Sequence, residues 1–101
     1  KASERIKKCL FRTLDLIERK KNPENEIDSF LGEGLPVSTK LWSKAGLMSE
    51  ARNDAIWAVN ANGSPMLLVV FTQGKELAND NFLLPALASE LIEFNSSQKN
   101  Q

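Results

Sequence analysis

Hydrophobic residues near the start of the chain recur at intervals of three and four, with lysines and arginines between them. The series is Ile6, Leu10, Leu14 and Ile17. This spacing places side chains on one face of an α-helix. It predicts an amphipathic helix over residues 4–19 and puts Cys9 on the apolar face, as a core residue.

A polar stretch, KKNPENE at residues 20–26, interrupts this pattern. Asn22 followed by Pro23 is typical of a helix start, because proline at the first position loses no intrahelical hydrogen bond. We therefore expect a short helix over residues 23–31, ended by Gly32, Gly34 and Pro36. Its apolar face would consist of Ile27, Phe30 and Leu31.

Three later segments have the length and apolar content of β-strands, at residues 39–44, 52–59 and 66–72. The second and third are apolar on both faces, which is typical of strands covered on two sides. Asn62-Gly63 predicts a tight hairpin between them, with both residues at positive φ. These features predict a three-stranded antiparallel meander.

The last apolar pattern predicts a helix over residues 82–94. Pro85 would lie in its first turn, where a missing amide proton costs little, and the polar tail from Asn95 onward would be frayed. The predicted fold class is α+β, a three-stranded antiparallel meander flanked by helices. Because both faces of the meander are apolar, the pattern also implies a further covering layer that these residues do not supply.

Composition excludes several classes of chemistry. The chain has 101 residues, one cysteine and no histidine. An internal disulfide, a thiolate zinc cluster, a Ser-His-Asp triad and a His-ligated metal are therefore excluded within it, and we expect no metal and no cofactor. Thirteen basic and thirteen acidic residues cancel, so no overall positive field favours nucleic acid. The apolar runs are too short for a transmembrane segment.

Several short motifs occur in a fixed order along the second half of the chain. They are Leu35-Pro36, Lys44-Ala45-Gly46, Arg52, Asn62-Gly63, Thr72-Gln73-Gly74 and a terminal helix. This ordered set resembles the last third of class A β-lactamases and related penicillin-recognising serine hydrolases. The resemblance runs from about Asn25 to Phe94. It implies that residues 1–101 are the C-terminal fragment of one β-lactamase-like domain, within a larger α/β/α (DD-peptidase) fold.

The resemblance also implies roles for individual residues. Lys44 would line a cleft, donate to a neighbouring serine and attract the substrate carboxylate. Gly46 would let the substrate approach the strand closely, and the amide of Leu47 would be an oxyanion-hole donor. Arg52 would be a second carboxylate clamp.

The residue after the lysine usually carries a hydroxyl that binds the substrate carboxylate. Here that residue is Ala45, which has none, so Ser49 or Ser43 is the substitute within reach of the motif. The implied substrate is a β-lactam or a peptidoglycan-type D-Ala amide. Serine attack on it would be followed by hydrolysis of the acyl-enzyme, and the family implies export to the periplasm or cell envelope.

The nucleophile of such an enzyme is a Ser-x-x-Lys serine at the start of a buried helix. In this sequence only Ser96-Ser97-Gln98-Lys99 fits that pattern, and we reject it because it lies in the polar tail. Ser-x-Asn, the second family element, is absent. These residues alone therefore cannot perform the reaction, and the remainder of the same domain is the expected partner.

The same residues also have plainer interpretations. A lysine near a strand end is usually a solvated edge charge, and Gly46 can simply end the strand. Arg52 and Asp54 share a face of one strand and can form a surface ion pair. The alternative function is a non-enzymatic small α+β interaction module that keeps the family scaffold without the nucleophile.

Overall fold

The fold is known from a computed structural model, which describes residues 2–99, with side chains as far as Asn95. It confirms the predicted α+β class. The elements in chain order are α1 (Ala2–Leu10), β1 (Phe11–Arg12), α2 (Leu16–Lys20), a 3₁₀ turn (Leu31–Gly34), β2 (Lys40–Met48), β3 (Ala51–Val59), β4 (Pro65–Val70), α3 (Lys75–Ala78) and α4 (Leu83–Lys99).

The sheet is antiparallel, with its strands in the order β1-β2-β3-β4. The predicted meander is confirmed as β2, β3 and β4, and β1 adds a strand that the sequence did not predict. The hairpin at Asn62-Gly63 is also confirmed, but the prediction that both residues have positive φ is wrong. Only Gly63 has it, at 81°. The reason is the side chain of Asn60, whose oxygen accepts from the amides of Asn62 and Ser64 at 3.0 and 2.9 Å and shapes a longer loop.

The single helix predicted over residues 4–19 is wrong, because the chain leaves the helix at Phe11 to pair with β2. A second helix then starts at Asp15, whose carboxylate accepts from the amides of the next turn at 3.0 Å. Because of this break, the side chain of Leu14 points into the core and is buried. It also leaves Cys9 exposed, so the assignment of Cys9 to the core is wrong.

The short helix predicted over residues 23–31 is wrong as well. The side-chain oxygen of Asn25 accepts from the amides of Ile27 and Asp28 at 2.9 and 2.8 Å. Such local bonds offer the backbone turns in place of a helix. The apolar residues were nevertheless identified correctly, since Ile27, Phe30 and Leu31 are all buried.

The core lies on one face of the sheet, under α4 and the 3₁₀ turn. The buried sheet residues include Leu41, Ile56 and Ala58, and α4 contributes Leu84 and Ala88. Helix α4 begins at Leu83, with Pro85 in its first turn as predicted. Its backbone continues to Lys99, so the fraying predicted from Asn95 is not observed over that range.

The opposite face of the sheet is partly open. Trp57, Leu67 and Val69 lie on it and are 44%, 67% and 47% exposed. Helix α1 lies across part of this face and leaves a groove of about 300 Å³ lined by Ile6, Lys7, Leu10, Trp42 and Trp57. Between residues 2 and 99, therefore, no layer fully covers the second apolar face, in agreement with the pattern of β3 and β4.

Within the described part of the chain, no helix combines the length and apolar character needed to cross a membrane.

Candidate functional site

The lysine motif lies inside a strand and beside a free sheet edge. Strand β2 continues to Met48, beyond the end predicted at Lys44, so the whole of Lys44-Ala45-Gly46 has strand geometry. Strand β1 pairs only with Leu41 and Trp42. The edge of β2 beyond those two residues consequently has no neighbouring strand on the β1 side among the described residues.

A carboxylate from the chain itself occupies this edge. Oε1 of Glu26 accepts from Nζ of Lys44 at 2.5 Å and from the amide of Ala45 at 2.8 Å. Its second oxygen, Oε2, accepts from Nη2 of Arg12 at 2.5 Å. Burial tends to raise the pKa of Glu26, but these hydrogen bonds and positive charges outweigh it and hold the pKa below its usual range. We call Glu26 and its three donors the edge cluster.

Three separate segments build the edge cluster. Arg12 belongs to β1 and is oriented by its bonds to the carbonyls of Cys9 and Phe11, at 2.9 and 3.3 Å. Lys44 belongs to β2 and also donates to the carbonyl of Ala45 at 2.7 Å. Glu26 belongs to the turns between α2 and the 3₁₀ turn. The edge cluster thus joins residues that are far apart in the sequence.

Leu47 is the residue whose amide the family resemblance implies as a donor at this edge. Alternate residues of a strand direct their amides to the same side. Because the amide of Ala45 points to the free edge, the amide of Leu47 points there too. The edge therefore presents two amides in line, of which Glu26 takes the first.

Arg52 pairs with Leu47 across β2 and β3, lies on the same, core face of the sheet and is only 5% exposed. Its guanidinium donates to three acceptors, and its carbon lies 5.2 Å from the ring centroid of Phe30. The acceptors are the carbonyl of Ala78 at 2.9 Å, the carbonyl of Ser29 at 3.2 Å and Oδ1 of Asn81 at 3.0 Å. Arg52 thereby ties α3 and the turn before the 3₁₀ turn to β3.

The interpretation of Arg52 and Asp54 as a surface ion pair is wrong, because both side chains are buried. Asp54 instead accepts from the amide of Leu31 at 3.0 Å, at the start of the 3₁₀ turn. Its other oxygen, Oδ1, is buried without a hydrogen-bond partner within the described chain. Burial raises the pKa of Asp54 to about 7, against the opposing effect of the nearby backbone amides of Leu31 and Ala55.

A cleft of about 400 Å³ brings part of the predicted set together. Ala45, Leu47 and Arg52 form its sheet wall, and Glu26 and Asn81 lie on the other walls. Lys44 reaches this cleft through its bond to Glu26, from a side chain that is 67% exposed. Three of the six predicted residues thus line one cavity, and a fourth lies at its rim.

Gly46 and Ser49 do not line the cleft. A Cβ added to Gly46 would meet no atom within 4 Å, so packing within the described chain does not require a glycine there. Ser49 lies in the turn between β2 and β3 and is exposed. Ser43, the other hydroxyl considered, is buried on the core face, and its Oγ has no partner among the described residues.

Arg12 and Glu26 were not predicted as site residues from the sequence. Arg12 lay in a pattern that predicted a helix, and Glu26 lay in a polar stretch with no motif around it. The pairing of β1 with β2 brings Arg12 near Lys44, and the turns before the 3₁₀ turn bring Glu26 there. Over the described residues, no group of three or more His, Cys, Asp or Glu side chains is arranged to hold a metal ion.

The literal Ser-x-x-Lys match at residues 96–99 falls at the C-terminal end of α4, and its side chains lie outside the described ones. No protein-family model and no curated protein matches this sequence.

Proposed function

We propose that this chain is the C-terminal part of a serine β-lactamase-like hydrolase. The reaction is acyl transfer on a β-lactam or a D-Ala-type amide. The observation that carries the proposal is the free edge of β2, where Ala45 and Leu47 line one cleft and the ammonium of Lys44 reaches it through Glu26. In the reaction, Lys44 binds the substrate and the attacking serine, and the amide of Leu47 stabilises the oxyanion.

The edge cluster supports this proposal because it already binds a carboxylate. Lys44 and the amide of Ala45 hold Glu26 without help from a hydroxyl side chain. A substrate carboxylate needs the same donors. The alanine at position 45, which lacks the hydroxyl that the family resemblance predicts, is therefore compatible with carboxylate recognition at this edge.

Arg52 has a more indirect part in this proposal. Its three hydrogen bonds go to acceptors of the chain itself. It supplies positive charge to the cleft wall and keeps that wall in place. Direct clamping of a substrate by Arg52 requires it to exchange one of these acceptors.

The serine nucleophile and the missing layer come, in this proposal, from the remainder of the same domain. The exposed apolar side chains of Trp57 and Leu67 fit a sheet face that another part of the domain covers. In this proposal the whole protein is exported to the periplasm or cell envelope, as the family resemblance implies.

The test is acylation of the full-length protein that contains this chain. A labelled penicillin should form a covalent adduct, located by mass spectrometry on a serine of a Ser-x-x-Lys helix. Lys44→Ala should slow adduct formation by about 100-fold or more, since it removes a charged donor at the reacting site. Lys40→Ala is the matched control, because Lys40 is an exposed lysine of the same strand. Absence of an adduct, together with no hydrolysis of β-lactam or D-Ala-D-Ala, overturns the proposal.

The second candidate is a non-enzymatic interaction module. The row of exposed apolar residues on the open sheet face favours it, because such a patch marks many protein interfaces. The two functions are distinguished by the gene. A long upstream coding region with Ser-x-x-Lys on a helix supports the hydrolase, and translation starting near Lys1 supports the module.

A further inference from the structure

The edge cluster is a complete receptor for a carboxylate. Two cationic side chains, Arg12 and Lys44, and one backbone amide, that of Ala45, converge on Glu26. Charge-assisted bonds of this kind are stronger than neutral ones. The side chain of Glu26 is 26% exposed, so the receptor is open to solvent on one side.

Glu26 can leave this receptor without unfolding the chain around it. The next residue, Ile27, is buried in the core and anchors the backbone there. The side-chain oxygen of Asn25 accepts from two backbone amides, and Arg19 pairs with Asp28 at 3.0 Å; these contacts hold the surrounding turns. Release of the carboxylate therefore needs only rotation about the side-chain bonds of Glu26.

We propose that Glu26 is an internal competitor for this carboxylate site. In the free chain it occupies the place that the carboxylate of a ligand takes when it binds along β2. Naming the ligand as the carboxylate of the substrate rests on the proposed function, whereas the competition itself depends only on the edge cluster. Glu26 thus keeps the site closed until a carboxylate-bearing ligand displaces it.

The size of the effect follows from the occupancy of the receptor. Some ligands can bind only when Glu26 has left the receptor. The apparent affinity of such a ligand is its intrinsic affinity multiplied by the fraction of molecules in that open state. A carboxylate on a short tether competes at an effective concentration in the millimolar range or above. Occupancy by Glu26 for about nine-tenths of the time lowers the affinity for an outside carboxylate about tenfold.

The experiment measures binding of N-acetyl-D-alanine to this chain by following the amide signals of Ala45 and Leu47 in NMR spectra. Glu26→Gln should bind the probe about tenfold more tightly than the wild type. Glu24→Gln is the matched control. Glu24 lies in the same loop and lines the same cleft, and its carboxylate makes no hydrogen bond or ion pair within the described chain, so this variant should match the wild type. The analogue of the probe in which an amide replaces the carboxylate should not bind. The double variant Lys44→Ala with Glu26→Gln should lose the tenfold increase in affinity.

Equal affinity of the wild type and Glu26→Gln overturns the inference. If Glu26→Gln fails to fold, the wild type gives the answer, because saturating probe must raise the pKa of the Glu26 carboxyl toward its solvent value. An unchanged pKa in the presence of bound probe also overturns it. Failure of the proposed function is distinguishable, since it appears as absence of an adduct in the full-length protein while Glu26→Gln still tightens probe binding.

Discussion

Two carboxylates of this chain, Glu26 and Asp54, are both partly removed from solvent but differ in their partners and in the direction of their pKa shifts. Glu26 sits at the open edge of β2 with two cations and an amide, and its pKa is lowered. Asp54 sits on the buried face of β3 with one oxygen unpartnered, and its pKa is raised to about 7. The comparison teaches that the edge is arranged to hold negative charge, whereas the core face tolerates an acid chiefly in its neutral form.

The largest effect is expected from the arginine beside Asp54. Arg52→Ala removes a buried guanidinium and leaves the carbonyls of Ala78 and Ser29 without their donor. We expect a loss of about 3–5 kcal/mol in the free energy of unfolding, measured by urea denaturation. Arg52→Lys should recover little of it, because lysine lacks the planar fork. A loss below about 1 kcal/mol would contradict the structural role of Arg52.

Asp54→Asn should reveal the cost of a charge on the core face. A folded-state pKa of about 7, against an ordinary value of 3.8, means that the native state binds more protons. Stability from this group is therefore present at low pH and is lost as the pH rises through 7. We expect the free energy of unfolding of the variant, relative to that of the wild type, to rise by about 1–3 kcal/mol on going from pH 5 to pH 8. A constant difference across that range, measured by denaturation at both pH values, would show that Asp54 is not shifted.

Glu26→Gln should show the opposite pH dependence. Because the folded-state pKa is lowered, the stability contributed by Glu26 is present above the ordinary value of 4.5 and is lost as the pH falls through the folded-state pKa. At pH 7 the free energy of unfolding of the variant should be about 0.5–1.5 kcal/mol below that of the wild type, and the difference should be smaller at high salt. The difference from the wild type should disappear in acid. Thermal melts at several pH values test this, with Glu24→Gln as the reference.

The smallest effect is expected on the open sheet face. Leu67 is 67% exposed, so Leu67→Ser should change the free energy of unfolding of this chain by less than about 0.5 kcal/mol. The same change in the full-length protein should cost more, if the remainder of the domain covers this face. Leu68→Ser is the matched comparison on the core side of the same strand and should be clearly destabilising. Equal effects of the two variants would contradict the assignment of the faces.

The sequence predicted the parts of the fold that depend on local periodicity. Leu41 and Ser43 are alternate residues of the strand predicted at 39–44 and therefore share one face, and both are buried. The prediction failed where side chains bond to the backbone, as at Asp15, which caps a separate second helix, and at Asn25, whose side chain holds turns in place of the predicted short helix.

The candidate site was harder to predict, because its partners are distant along the chain. Lys44 was identified from a motif, but Glu26 meets it only through the tertiary fold. Arg52 has the sequence context of a surface charge, and its burial results from α3 and the turn at Ser29 packing over it. No local pattern contains that information.

The shortness of β1 has a consequence for self-association. A strand edge with free amides is a template on which another copy of the chain can add a strand. Glu26 takes the amide of Ala45 that such a copy would need, and its charge repels an approaching backbone carbonyl. Acid that neutralises Glu26 weakens this protection, so acidification should open the edge of β2 at Ala45 to strand addition by a second copy.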